Sequence, residues 1–408
     1  MAASEQEVLR ERLRRYPPDR YPVQHATTCF HLGSVLLHAG EVGPAVESLT
    51  AAREGFAQAG MRLETAKTTV MLGIGLRAAG RLDDAAGAFS TAERTLAELE
   101  QPAEQAAAAY NLGLVRQDDG DLDGALRAWA SARETFLSAG RPAQAAAAAR
   151  ESGAALLARG EVDRALPLLE EAAALAERAG DDPGAAAAGN ALGLAHLAAG
   201  APLTAARVLR RALGFAPRTV RPAQHAMVKA NLALAHEQAG DLPRARLAAR
   251  QALVVAGADA PVRAQARAVL ERQPAPAHED LLAVLDDGER GDQVAVLREE
   301  VLRAVELPAA DRVALVGGFL DGVLARPDRC YELARSLLEA VLEQPPRPYE
   351  AMVSAVVDSC AARPDADAER VRAVVASALA RFALPQWQRM VASLNAAAAA
   401  TGQPAAWR

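Results

Sequence analysis

The sequence predicts an all-α solenoid of six helix-turn-helix repeats followed by a C-terminal all-helical bundle. Three observations carry this fold class. Glycine recurs at a fixed period of 40 residues, at Gly40, Gly80, Gly120, Gly160, Gly200 and Gly240. Small residues recur in the same register: Ala45, Ala85, Ala125, Ala165, Ala205 and Ala245; Ala52, Ala92, Ala132, Ala172, Ala212 and Ala252; and Gly33, Gly73, Gly113, Gly153 and Gly193, with Ala233 closing the last series. The composition is rich in Ala and Leu and only 4% aromatic. Good helix formers therefore dominate and strand formers are scarce. Self-similarity at such a period is the mark of a stacked-repeat architecture.

The elements follow in chain order. Residues 1–21 are expected to form an N-terminal helix or cap, with 4–15 shielding the apolar face that a repeat array leaves open at its end. "MAASEQEVLRERLRR" is charged throughout and carries no apolar run, so no secretory signal is expected. Residues 22–272 hold the six repeats and a closing helix over 261–272. In each repeat the glycine of the Gly40 series suits a left-handed residue ending the first helix. Asp83, Asp123 and Asp163 are expected to cap the second helix by accepting from its free N–H groups. Pro22, Pro102, Pro142 and Pro222 suit the start of a first helix, where a missing N–H costs little. Small residues at the Gly33, Ala45 and Ala52 positions let the two helices approach. Leu49, Phe89, Trp129, Leu169 and Leu209 supply the bulk between them. "QPAPAH" (273–278) reads as a linker. Beyond it the period is lost, and 279–408 reads as proline-separated helices over about 279–286, 292–306, 309–325, 328–343, 348–362, 367–382 and 385–400, ending in a frayed tail. These helices form a separate bundle or an irregular continuation of the solenoid.

"NLGLVRQDDGDLDGALRAWASA" (Asn111–Ala132) resembles the tetratricopeptide (TPR) repeat in the order of its glycine, its Gly-Asp-x-Asp turn, its Ala with an aromatic four residues on, and the Ala three beyond. The likeness covers about residues 22–260. The period of 40 is similar to that of the longer-helix branch, as in kinesin light chains and the sensor arms of some bacterial transcription regulators. Ser152 stands where the family usually has leucine, and Pro202 falls in an inter-helix turn. The resemblance implies a right-handed superhelix whose first helices line a concave groove.

Several apparent sites dissolve under the register. "DGDLDG" (119–124) looks like the opening of a calcium loop, but the twelfth position from Asp119 is Ala130, not the Glu such a loop requires. Equivalent stretches such as "GEVGPA" and "GAPLTA" share its turn chemistry and not its ligands. His31 and His38 are too far apart along a helix for a zinc pair, and His196 and His236 replace leucines of the same register. No metal and no cofactor is expected. Cys29, Cys330 and Cys360 are too scattered for a disulfide framework and read as small buried hydrophobes. Gly317, Gly318 and Gly322 fall inside a predicted helix, where close helix contact or a kink is the expected use, not phosphate cradling. No nucleophile elbow, P-loop or dinucleotide fingerprint is present. The uncharged stretch 183–206 contains Asn190, His196, Gly200 and Pro202 and reads as a repeat helix with its turn, not a membrane span. Arg207, Arg210, Arg211, Arg244, Arg246 and Arg250 read as a solvated outer face. With a formal net charge of −6, nothing global points to nucleic acid or a membrane surface.

What remains is the groove that the resemblance implies. The register assigns to it Phe30, His31 and Ser34 from repeat one; Lys67, Met71 and Arg77 from repeat two; Tyr110, Asn111 and Gln117 from repeat three; Arg150 and Glu151 from repeat four; Asn190 and Leu194 from repeat five; and Lys229, Asn231 and Glu237 from repeat six. Lys67, Arg77 and Arg150 are expected to supply positive charge for an acidic ligand. Phe30, Met71, Tyr110 and Leu194 are expected to supply apolar contact. Asn111 and Asn231 stand where peptide-binding TPR proteins use asparagine to bond a ligand backbone. The expected function is a cytoplasmic, non-enzymatic scaffold or adaptor that binds a peptide or partner helix in this groove. A peptide or small-molecule sensor signalling through the C-terminal helices is the alternative, and an all-helical enzyme the third reading.

Overall fold

The computed structural model describes residues 2–287, 290–404 and 407. Helix makes up 81% of the described residues, and no strand occurs among them. The chain forms two compact units, Met1–Ala199 and Gly200–Arg408, so the division falls between the two helices of repeat five.

The first unit comprises α1 (Ala2–Arg15), α2 (Pro22–His38), α3 (Val42–Gln58), α4 (Arg62–Ala78), α5 (Leu82–Glu98), α6 (Pro102–Asp118), α7 (Leu122–Ser138), α8 (Pro142–Ala158), α9 (Val162–Ala179) and α10 (Asp182–Ala198). Each helix packs chiefly on its neighbours in sequence, and α2 also touches α4, α4 touches α6 and α8 touches α10. The turn glycines adopt left-handed backbone, Gly120 with φ 83°. At the end of α2, Glu41 N–H donates to the Leu36 carbonyl and Gly40 N–H to that of Leu37, at 2.9 and 3.0 Å. This closes the helix as a Schellman motif. Between the helices, a Cβ on Gly33 would come within 2.6 Å of Leu49, on Gly73 within 2.8 Å of Phe89, on Gly113 within 2.4 Å of Trp129 and on Gly153 within 2.5 Å of Leu169. The glycine series and the bulky series are thus one device, in which each large side chain fills the space its glycine vacates. Ser152, in the leucine position, is buried and returns its hydroxyl to the Ala148 carbonyl at 3.0 Å.

Two expectations for this unit change. Asp83, Asp123 and Asp163 do not cap the second helices, because the turn is tighter than their spacing implied and helix begins two residues after each glycine. The cap of α7 is Asp121, which accepts from Gly124 N–H at 2.8 Å. Asp123 lies in the first turn, where Arg159 reaches it at 2.7 Å. The N-terminal cap also has a definite origin. α1 holds the register that α11 holds 200 residues on, and Leu9 stands 40 residues before Leu49 and is buried. α1 occupies the register of a second helix. The turn after it repeats too: His25 Nδ1 donates to the Tyr16 carbonyl and His225 Nδ1 to the Ala216 carbonyl, each at 2.9 Å.

The second unit comprises α11 (Pro202–Phe215), α12 (Pro222–Gln238), α13 (Leu242–Leu253), α14 (Ala260–Arg272), α15 (Ala277–Asp286), α16 (Arg290–Val305), α17 (Ala309–Leu324), α18 (Cys330–Leu342), α19 (Pro346–Ala361), α20 (Asp365–Leu379) and α21 (Leu384–Ala400). Pro202, expected in a turn, is the first residue of α11. From α15 onward each helix packs chiefly on the second one along, and α13 leads into the first row through α15. One row runs α13, α15, α17, α19, α21 and the other α16, α18, α20. Phe319, Leu333, Val357 and Leu394 are among the buried residues between them. Two of the three glycines of α17 serve close contact: a Cβ on Gly318 would meet the His278 ring at 2.5 Å and one on Gly322 would meet Leu282 at 2.1 Å, whereas one on Gly317 would meet nothing closer than 3.7 Å. Cys29, Cys330 and Cys360 are buried and free, and burial pushes the thiols of Cys29 and Cys360 up. The tail is not frayed at Trp407, which is buried and clasped by Asn395 through bonds of 2.8 and 3.2 Å. Ala405, Ala406 and Arg408 lie outside the described residues. Among the described residues no helix is long and apolar enough to cross a membrane.

Candidate functional site

The exposed side of the first helices in the first unit is built by repetition. A residue that does not face the second helix of its own repeat recurs on the equivalent turn of α2, α4, α6, α8 and α10. Phe30, Tyr110 and Arg150 share one register position, and His31, Met71, Asn111 and Glu151 the next. All of these are half-buried except His31, which is exposed. His31 sits edge-on to Phe30 with ring centres 5.6 Å apart. Ser34, half-buried, presents its carbonyl to His38 Nδ1 at 2.8 Å. Val70, Met71, Ile74, Leu114 and Leu194 are half-buried apolar side chains of the same helices. Gln117 is exposed and Asn190 buried.

The charges on this face pair with one another. Lys67 Nζ lies 3.4 Å from Glu104. Arg77 Nε donates to Asp118 at 2.5 Å. Arg150 donates to Glu151 at 2.7 Å, and the Tyr110 hydroxyl donates to the same Glu151 oxygen at 3.4 Å. Burial, reinforced by the Glu151 charge, pushes the Tyr110 phenol up to about 12, so it stays a hydrogen-bond donor at neutral pH. The three cations expected to attract an acidic ligand are therefore each beside an acid, and most of their field is cancelled locally. Asn111 bonds back to its own helix, donating to the Ala107 carbonyl at 2.8 Å.

The repeat-six residues are engaged within the second unit. Asn231 is buried and its Oδ1 accepts from Gln265 of α14 at 2.9 Å. Glu237 receives Arg272 of α14 through two bonds, at 2.6 and 2.5 Å. The closing helix covers the surface on which they were expected to meet a ligand. Lys229 is engaged for a different reason. Its register position carries Cys29, Thr69, Ala109 and Ala149 in other repeats, all buried. It points inward, donating to Gln251 at 2.9 Å and to Glu299. The register alone held this signal.

The basic run is likewise not a solvated face throughout. Asp280 is 1% exposed, and Arg246 grips both its oxygens while Arg250 takes one at 2.5 Å. Arg244 reaches Asp241 at 2.6 Å and Asp287 at 3.1 Å. Sequence reasoning missed Asp280 because it lies beyond the periodic region, where no register relates it to α13. The "DGDLDG" carboxylate Asp121 is also committed. A bond from Gly124 N–H and one from Arg116, at 2.6 Å, hold its carboxyl below the usual range. No group of three or more His, Cys, Asp or Glu side chains suited to a metal occurs among the described residues.

The sequence matches no protein-family model and no curated protein. Solved structures do resemble the chain. The apo form of RapI is 14% identical over 78% of this chain and 85% of its own, with a TM-score of 0.54. The apo form of the quorum sensor NprR from B. thuringiensis is 14% identical over 78% of this chain and 87% of its own, with a TM-score of 0.46. A putative kinesin light chain of Podosopora anserina with TPR-like repeats is 18% identical over 51% of this chain and 96% of its own, with a TM-score of 0.38. At these identities the likeness is one of fold, and the fold is that of a TPR-like helical solenoid.

Proposed function

We propose that the protein is a non-enzymatic binding module that takes up a peptide or partner helix along the first helices of repeats one to five. The observation that carries this reading is the row of half-buried apolar side chains on α4, α6 and α10, with Tyr110 and Glu151 as polar fixtures beside it. A partner helix lays an apolar stripe on such a surface and is oriented by a few polar contacts. Because Lys67, Arg77 and Arg150 stand beside acids, the fitting ligand is an amphipathic segment and not a strongly acidic one.

The test is site-specific photo-crosslinking in the source cells. A benzophenone amino acid at position 74 or 114 is expected to yield a discrete protein or peptide adduct. The same group at Thr91 or Ser131, exposed on second helices, is expected to yield none. Equal labelling from both sets would remove the assignment to this face.

A further inference from the structure

The second unit contains a cavity in two chambers, which the partner-binding reading does not use. The larger, of about 710 Å³, is bounded by α11, α12, α13, α15 and α16. Its apolar walls include Leu213, Leu232, Leu247 and Val296, and Arg210, His236 and Arg244 also line it. The smaller, of about 110 Å³, is lined by Arg218 and Arg303 among others. The chambers share His225, Lys229, Gln251 and Glu299. The larger chamber has the size of an ordinary small-molecule site. Its roof is open enough that a Cβ added at Gly214 would meet no atom within 4 Å.

Among the polar groups around the small chamber, Gln251 and Glu300 have acceptors engaged by neighbouring donors, while Lys229 and Arg303 keep donors of their own. Lys229 donates to Gln251 Oε1 at 2.9 Å. Gln251 donates through Nε2 to one oxygen of Glu300 at 3.0 Å, and Arg303 Nε donates to the other at 2.8 Å. Both Glu300 oxygens and the Gln251 amide oxygen thus each hold a donor. Lys229, with Glu299 as its second partner, retains a third N–H. Arg303 is 4% exposed, and its Nη2 is buried with no acceptor among the described residues. A buried guanidinium N–H without an acceptor is costly, so what enters this chamber gains by bringing acceptor oxygens. His225 donates Nδ1–H to Ala216, and burial holds its ring neutral and Nε2 as an acceptor.

We propose that this cavity is a binding site for a small organic anion, with a carboxylate or phosphate head held by Lys229 and Arg303 and its body in the larger chamber. The observation behind it is the coincidence of an orphaned buried guanidinium, a buried ammonium and a cavity of ligand size within one compact unit. The ligand would touch α12 and α13 of repeat six and α16 of the C-terminal rows together, so its binding would stabilise their junction.

Thermal unfolding of the full chain with three probes of equal chain length tests this. Octanoate and octyl phosphate carry the two heads, and octanol carries none. At least one anionic probe is expected to raise the unfolding temperature saturably, by about 4 °C or more, with little effect from octanol. The stronger of the two anions identifies the head. Lys229→Gln and Arg303→Gln are expected to abolish the response. Gly214→Trp, which places an indole at the edge of the larger chamber and removes no charged group, is expected to abolish it too and keeps the test decisive if Arg303→Gln fails to fold. No response to either anion, equal stabilisation by octanol, or an unchanged response in Gly214→Trp would overturn the proposal.

Discussion

At the scale of single residues, the register of 40 predicts environment wherever a side chain conforms to it and errs where one departs. Gly113 and Trp129 conform. The tryptophan needs the glycine, and its indole N–H finds the Tyr110 carbonyl at 3.1 Å. Lys229 and His236 depart, replacing small or leucine residues at buried positions, and both border the cavity. His236 carries a measurable consequence. Burial outweighs the nearby Asp241, whose carboxylate is 3.9 Å away, and pushes the imidazole down to about 4 from 6.5. The folded state therefore favours the neutral ring. Between pH 6.5 and 4 the unfolded chain binds more protons, so stability is full above this window and falls as pH drops through it. From pH 7 to pH 5 the loss attributable to His236 is about 2 kcal/mol. His236→Leu, which restores the residue found at positions 36, 76 and 156, is expected to flatten the pH dependence of the urea midpoint over that range. It will not abolish it, since burial also pushes His225 down. An unchanged pH slope in His236→Leu would show that its ring is neutral for no energetic reason.

At the scale of elements, the turns between helices were legible only in part. The glycines inside each repeat formed an unbroken series and were found from sequence. A second left-handed position lies between repeats, at Gly60, Glu100, Gly140 and Gly180. It escaped notice because its second member is glutamate. Glu100 holds φ 54°, where a Cβ crowds the backbone and costs about 1 kcal/mol. Glu100→Gly is expected to stabilise the first unit by about 0.5–1 kcal/mol, since relief of strain exceeds the added flexibility of the unfolded chain. Chemical denaturation of the two proteins checks this, and a destabilised variant would mean that the Glu100 side chain earns its place through contacts of its own. Helix starts were less legible than helix ends, for a physical reason. Left-handed backbone nearly demands glycine, whereas α3, α5 and α9 begin on Glu41, Arg81 and Glu161 with no side-chain cap at all. α1 was recognised as a cap but not as a helix in the second-helix register, because only Leu9 keeps the register; Glu5 and Arg12 stand where alanine recurs elsewhere.

At the scale of the whole molecule, periodicity identified the six repeats and said nothing about what the helices beyond them do. Their boundaries were readable from proline and apolar spacing to within a few residues, but their i to i+2 stacking was not, because no repeated position marks which faces meet. The same blindness hid the cavity and the Asp280 clasp, each made by residues on both sides of the point where the period ends. The clasp makes the independence of the two units testable. Asp280 is buried and compensated by Arg246 and Arg250, themselves largely buried. Removing the acid leaves two arginines without their counter-charge, at a cost of about 3–5 kcal/mol. That cost falls within the second unit alone. Trp129 lies in the first unit, and Trp387 and Trp407 in the second. In a Trp387→Phe, Trp407→Phe background, Trp129 fluorescence follows the first unit while far-ultraviolet dichroism follows both. Asp280→Ala is then expected to split the thermal transition, with an early loss of helix at an unchanged Trp129 midpoint. If the Trp129 midpoint falls together with the helix signal, the array unfolds as one cooperative body and the strain of the missing carboxylate is carried through repeat five into the first unit.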